Sequence, residues 1–394
     1  MKRILAVILS VLMLSMTLVA CTEPPPPGAP APAPAAPEPA APAAPDEAPA
    51  APAAPSGGTY RIAMLPKFKG ENYFDGCYAG AQAAADHFGI ELIYDGPSQA
   101  ESTNAKQVEI LNGFIAAGVD ALIVSPTDAE GIAPTLRQAA EQGIVVTTFD
   151  ADTMPDARAF LINQGTYDDI GQGLVLAAIP QLTDNGFGPN QPARLGIISG
   201  SGLDVNQNEW ILAIQRFLKS DFPWITLDSD DSGYMGGDIW TPGSDETAAQ
   251  NAAIEAIALS GDATDGSQIN VMIGASSMSI PALGAAWNAV VGAKPNVVLT
   301  GLGTPLGLID YILDDVNPLN TGVLWDVGDL GWLAVEATIA LLDGNIDLGS
   351  AAGTTFPSTL GAKTFRNDPG HGGLELLLGP ALIFDPGNVR NFNY

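Results

Sequence analysis

Residues 60–94 contain YRIAML (Tyr60–Leu65), DGCYAGAQAAADHF (Asp75–Phe88), Gly89 and IELIY (Ile90–Tyr94). A short apolar run, an alanine-rich amphipathic stretch closed by glycine, and a second apolar run make a strand–helix–strand unit. The pattern continues outward from there. A helix is expected from about Asn104 to Ala117, stopped by Gly118, then a strand at Ala121–Val124. A helix at Gly131–Glu141, Gly143 and a strand at Ile144–Phe149 follow. Strands that alternate with helices in this way predict an α/β fold, a parallel sheet covered on both faces.

The rhythm restarts further along. Leu195–Ile198, Ile225–Leu227, Val271–Ile273, Val297–Leu299 and Val323–Trp325 read as strands. Glu209–Lys219, Glu246–Leu259, Pro281–Val291 and Leu330–Leu342 read as helices between them. Two such rounds predict two doubly wound parallel-sheet lobes rather than one oversized sheet. No Gly/Pro/Ser linker separates them, and Asn163-Gln164-Gly165 is the expected crossing. A crossing without a flexible linker implies a hinge, with a cleft between the carboxyl ends of both sheets.

Toward the N-terminus the chemistry changes. Lys2 and Arg3 precede an apolar run, Ile4 to Leu18, that ends in Leu18-Val19-Ala20-Cys21. This is the layout of a secretory signal peptide, residues 1–20. At about 15 residues the run is shorter than the ~20 that a helix needs to span a bilayer. The segment resembles the lipobox of bacterial lipoproteins, which implies cleavage before Cys21 and diacylation of its thiol. Residues 21–58 would then be the lipidated cysteine and a Pro/Ala-rich tether, too poor in large apolar residues to fold.

Composition narrows the function. The net charge is −29, from 44 acidic and 15 basic residues. That excludes a nucleic-acid partner, whose phosphates require Lys and Arg. It also disfavours adsorption to anionic headgroups, leaving the Cys21 anchor as the membrane contact. With Cys21 acylated, Cys77 has no partner for a disulfide, and His87 and His371 are the only histidines. A zinc site and a histidine-dependent hydrolase are therefore not expected, nor is any cofactor.

Ligands of open α/β sheets bind beyond the carboxyl ends of the strands. After the first strand come Lys67, Glu71, Asn72, Tyr73 and Phe74; after the third, Ser125 to Asp128; after the fourth, Asp150 and Asp152. In the second lobe the equivalents are Asn206, Gln207 and Trp210, then Ser276, Ser277 and Ser279, then Thr304, Trp325 and Asp326. Aromatic faces with carboxylates, amides and one cation suit a small polyol, which has apolar C–H faces and a rim of hydroxyls. Asp128, just before a helix, reads as a cap. Asp150 reads as a ligand group, because Asp152, Thr153 and Pro155 can start the next segment themselves. Lys67 is a rare cation directly after a strand, while Tyr73, Phe74 and Trp210 fit the core as well as a site. Asp228 to Gly233 imitates the start of a calcium loop, but Ile239 stands where its twelfth-position Glu belongs. Gly200-Ser201-Gly202 and Gly301-Leu302-Gly303 lack the full dinucleotide pattern and read as turns.

Several of these segments resemble the bacterial sugar-binding proteins of the ribose-type periplasmic cluster. They are Arg61 to Lys67, Tyr94-Asp95-Gly96-Pro97, Val124-Ser125-Pro126 and Phe149 to Thr153. Ile162 to Gly165, Leu324-Trp325-Asp326-Val327 and Ile383-Phe384 with Phe392-Asn393-Tyr394 are similar to the rhamnose-binding and autoinducer-2-binding branch. The resemblance covers nearly all of residues 59–394. It implies a type I periplasmic binding protein fold with a multi-segment hinge. The N-terminal lobe would be 59–164 plus about 327–350, and the C-terminal lobe 165–326 plus about 351–394.

Carried over residue by residue, the branch's ligand-contacting Lys is matched by Lys67 and its Asp by Asp150. Its Asp-Gln pair is met by Asn206-Gln207, and its Pro-Ala-Ala by Pro281-Ala282-Leu283. Asn206 then offers an amide where autoinducer-2 expects an acceptor, and Leu283 would narrow the wall. Asp326 resembles a second-lobe hydroxyl acceptor. The expected ligand set is thus Lys67, Tyr73, Phe74, Asp150, Asn206, Gln207, Trp210, Pro281, Ala282 and Asp326. The implied function is a monomeric, lipid-anchored, extracytoplasmic solute-binding protein of an ABC importer. It would close its lobes on a monosaccharide, rhamnose-like or another aldose, and deliver it to the permease subunits. The alternative is a receptor presenting autoinducer-2 or a sugar to a sensor kinase. Catalysis is not expected: a glycosidase needs paired carboxyls with a raised pKa, and nothing marks Asp150 or Asp326 as such.

Overall fold

The structure, a computed structural model, describes residues 59–243, 245–290, 297–392 and 394. The expected signal peptide, Cys21 and the tether through residue 58 lie outside the described residues, as do Val291 and Asn393.

The apolar runs form β1 (Arg61–Leu65), β2 (Glu91–Tyr94), β3 (Ala121–Val124), β4 (Val145–Phe149) and β5 (Leu161–Asn163), all parallel, in the order β5-β4-β3-β1-β2. Between them lie α1 (Asn72–Phe88), α2 (Asn104–Ala116) and α3 (Ala129–Glu141). Ile62, Met64, Leu122 and Ile123 are fully buried, as expected for strands covered on both faces. Gly89 ends α1 in the left-handed conformation, and its N–H bonds to Ala85 O.

After β5 the chain enters α4 (Tyr167–Asp184), whose cap Thr166 accepts from Asp169 N. The second sheet is β6 (Ala193–Ile198), β7 (Ile225–Thr226), β8 (Ile239–Trp240), β9 (Val271–Gly274) and β10 (Val298–Gly301). Its order is β10-β9-β6-β7 with β8 also on β6, every pair parallel. The accompanying helices are α5 (Val205–Asp221), α6 (Glu246–Ala258), α7 (Ser279–Ala289) and α8 (Pro305–Ile312). α5 starts four residues before the expected Glu209, which places Asn206 and Gln207 in its first turn.

Next, β11 (Gly322–Leu324) lies in the second lobe, and α9 (Val327–Leu342) returns to the first lobe to pack on α1. The approach is so close that a Cβ on Gly331 would lie 1.8 Å from Cys77 O, and one on Gly80 1.9 Å from Gly328 O. Only glycine permits that packing.

The C-terminal segment corrects the expected lobe boundary. β12 (Thr355–Ser358), β13 (Gly361–Asn367) and β14 (Leu374–Leu377) extend the first sheet, not the second. β14 runs parallel to β5, while β13 and β12 are antiparallel additions. Burial explains the choice: Phe365 packs its ring on Phe160 at 5.3 Å, and Asn163 Nδ2 donates to Glu375 Oε2 at 2.7 Å. Of the expected second-lobe residues 351–394, the strand that goes there is β15 (Leu382–Phe384), antiparallel to β11. Among the described residues the chain thus passes between the lobes at 164–166, 325–326 and 378–381. No described helix is long and apolar enough to cross a membrane.

Candidate functional site

The carboxyl end of β4 delivers Asp150, the one non-glycine residue with positive φ among the described residues, at 63°. Asp tolerates this left-handed conformation better than most residues, at a cost of about 1–2 kcal/mol. Bonds to its carboxylate offset that strain. Oδ1 accepts from Tyr73 OH at 2.8 Å and from Gln164 Nε2 at 3.1 Å; Oδ2 accepts from Ser125 Oγ at 2.7 Å. Lys67 Nζ, from the end of β1, stands 3.7 Å from the same Oδ2.

Lys67 reaches across the cleft. Its Nζ donates to Asp204 Oδ1 at 2.8 Å, and both side chains are under 10% exposed. Asp204 directly precedes α5 in the cap position, yet makes no cap bond to the helix amides. Its other oxygen instead accepts from Ser201 N at 3.1 Å and Gln207 Nε2 at 3.4 Å. Burial works against the charge on Lys67, but Asp204 and Asp150 outweigh it and hold its pKa above the ordinary lysine value. Asn206 Nδ2 also crosses the cleft, to Asp150 O at 3.3 Å.

Aromatic rings close the other side. Trp325 packs edge-on against Tyr73 (centroids 6.0 Å) and lies 5.9 Å from Trp210; its Nε1 donates to Tyr73 OH at 3.1 Å. Phe68, Phe74, Met278, Leu302 and Leu324 complete an apolar wall, and Ser276 and Ser277 add hydroxyls. Two buried polar atoms of this lining have no protein partner: Trp210 Nε1, a donor, and Asn206 Oδ1, an acceptor. The cavity has about 70 Å³ of free space. One water needs roughly 10–15 Å³ on this measure, so the space equals a handful of waters, the displacement of a compact solute.

Seven of the ten expected ligand residues meet here: Lys67, Tyr73, Phe74, Asp150, Asn206, Gln207 and Trp210. Three do not. Asp326 caps α9, accepting from Asp329 N at 3.0 Å, and lines a different opening. Pro281 and Ala282 sit in the first turn of α7 and line a separate, wider opening at the seam of the lobes, with about 390 Å³ of free space. Leu283 is fully buried in the core and narrows neither space. Asp128, read as a cap, accepts from Gly131 N at 2.9 Å.

Sequence reasoning missed Asp204, and it named Trp325 at a strand end without including it in the ligand set. Asp204 follows a glycine-rich run read as a turn and stands where caps stand, so its ion pair left no local signal. Glu71 belongs to the seam opening, with Gln99, Ser277 and Met278, and not to the inner cavity. Burial raises its carboxyl to about 7, against opposing bonds from Tyr73 N, Ser277 and Phe74 N.

A family model for the periplasmic binding protein domain matches residues 62–346. A D-ribose/D-allose-binding protein of Pseudomonas aeruginosa is 34% identical over 94 residues, 23% of this chain; the chain thus covers only 28% of that relative's length. Among solved structures, LsrB from Clostridium saccharobutylicum in complex with AI-2 superposes with a TM-score of 0.74 at 23% identity, covering 85% of this chain and all of that one. An ABC transporter solute-binding protein from Clostridium phytofermentas with bound L-rhamnose gives 0.73 at 24% identity, covering 85% and 98%. These structures share the fold, the two-lobed type I arrangement of parallel sheets expected from the sequence. The family match identifies a binding protein, not an enzyme.

Proposed function

Because the chain belongs to the periplasmic binding protein domain family, we propose that it is the extracytoplasmic sugar-binding component of an ABC importer. Its ligand is a monosaccharide, rhamnose-like or another aldose, enclosed between the lobes and passed to the permease. Lipidation at Cys21 and the 21–58 tether hold the monomeric body at the membrane surface.

The observation that carries this reading is the pairing of unpartnered Trp210 Nε1 and Asn206 Oδ1 with the Trp210–Trp325 wall. A pyranose face packs on the rings, and its hydroxyls can both donate and accept. The ligand therefore satisfies two buried groups whose isolation otherwise costs about 1–3 kcal/mol each. Because Lys67 and Tyr73 belong to one lobe and Asn206, Gln207 and Trp210 to the other, a bridging ligand shifts the hinge equilibrium toward closure.

Autoinducer-2, presented to an importer or a sensor kinase, is the second reading. Asp204 supplies, two residues earlier, the carboxylate that Asn206 lacks. A thermal-shift screen of rhamnose, ribose, xylose, galactose, glucose and autoinducer-2 tests both. At one hundred times Kd a cleft ligand adds about 2.7 kcal/mol, several degrees in Tm. If none of the six compounds shifts the transition, the proposal fails.

A further inference from the structure

A lysine in a polyol cavity invites the wrong ligands, because uronates and sugar phosphates share the ring and add an anion that Lys67 would attract. We propose that Asp204 is a specificity-determining residue that makes the cavity a charge filter, admitting neutral polyols and rejecting their anionic analogues. The inference rests on the sugar-binding reading and names the class of sugar.

Three observations carry it. First, Lys67 Nζ is claimed by Asp204 at 2.8 Å, with Asp150 at 3.7 Å behind it. The ionised groups lining the cavity are one cation and two carboxylates, and their formal sum is negative. Second, Asp204 stands at a cap position without capping. Ser201 N and Gln207 Nε2 hold its second oxygen, so the second lobe aims this carboxylate at the lysine. Third, the pair crosses the cleft, so it forms only as the lobes come together. An anion must then either displace Asp204, leaving a buried carboxylate without its cation, or sit beside a site of its own sign. Either route costs at least 100-fold in affinity, the size of like-charge repulsion a few ångströms apart inside a protein. Neutral hydroxyls meet no such barrier.

Titration calorimetry of the full chain tests this with D-galactose, D-galacturonate and the galacturonate methyl ester, and with D-glucose against glucose 6-phosphate. The expected result is neutral sugar at least 100-fold tighter than its anion, with the uncharged ester bound within about tenfold of galactose. Asp204→Asn should narrow the neutral-to-anion ratio at least tenfold, and added salt should narrow it further. Wild-type protein that binds galacturonate as tightly as galactose overturns the filter and leaves the sugar-binding reading intact. Exclusion of the ester together with the acid also overturns it, since bulk and not charge would then discriminate. An unchanged ratio in a folded Asp204→Asn protein does the same. If neither these sugars nor any of the six screened compounds binds, the functional reading falls, and the filter with it; if the screen selects another aldose, the same comparison is made with that sugar and its uronate.

Discussion

The two halves of the cleft are built differently. On the first-lobe side the central group is saturated: Asp150 accepts from Tyr73, Gln164 and Ser125 and faces Lys67. On the second-lobe side Asn206 Oδ1 and Trp210 Nε1 are buried without partners. Gln164 Oε1 is also unpartnered, but Gln164 does not line the cavity; a carboxylate held by three donors resists rearrangement, whereas an unsatisfied pair in the cavity lining offers hydrogen-bonding capacity to a ligand. The first lobe therefore acts as a pre-formed platform, and the second carries the groups that a ligand completes.

The largest effect expected from breaking this contrast is on stability. Asp150→Ala leaves the Tyr73 and Ser125 hydroxyls without their buried acceptor and puts alanine in the left-handed conformation, while Lys67 keeps Asp204, so it should cost about 2–4 kcal/mol in urea denaturation. Asp150→Asn tolerates the left-handed backbone and isolates the charge, so it should cost less. A loss below about 1 kcal/mol for the alanine variant would remove the platform reading.

A second effect sits at the seam. Glu71 holds its proton to about pH 7 when folded, against an unfolded value of 4.5. The stability this confers is complete below pH 4.5 and is lost as pH rises toward 7, about 3 kcal/mol in all. His371, raised above 6.5 chiefly by Asp368, adds a loss of the same sign at higher pH. Glu71→Gln should flatten the pH 4.5–7 part of the profile in chemical denaturation and leave the His371 part. An unaltered slope below pH 7 would show that Glu71 ionises freely in the folded protein.

The smallest effect sharpens the second-lobe half. Trp210→Phe keeps an aromatic face but removes the pyrrole half of the indole together with the unpartnered N–H. At this buried position the smaller ring should cost about 1 kcal/mol of stability without ligand, while affinity for the sugar found in the screen should fall further, by about tenfold or more, because a hydrogen bond and part of the ring face are both lost. Equal losses in both would mean that Trp210 serves the core alone.

How much of this was legible in the sequence follows from the same physics. Buried parallel strands are continuous apolar runs, so β1, β3 and β4 could be read directly. Strand β12 alternates exposure and is interrupted by Pro357, β13 is largely exposed, and the buried β14 that ties them to the sheet finds its partner β5 some two hundred residues away. The strand-end rule found Lys67, Asp150 and Trp210, because position relative to a strand fixes them. It also drew in Asp326, whose side chain turned back to its own helix. Asp204 was out of reach, since its role depends on a lysine in the opposite lobe.

The three passages between lobes have one more consequence. Parallel straps allow a door to swing but resist its sliding, so the lobes are confined to a common rotation. Trp325 stands on one of those straps and is also a wall of the cavity. Whatever presses on that indole therefore pushes on the pivot itself, and the colour of its fluorescence should report the swing without any added dye.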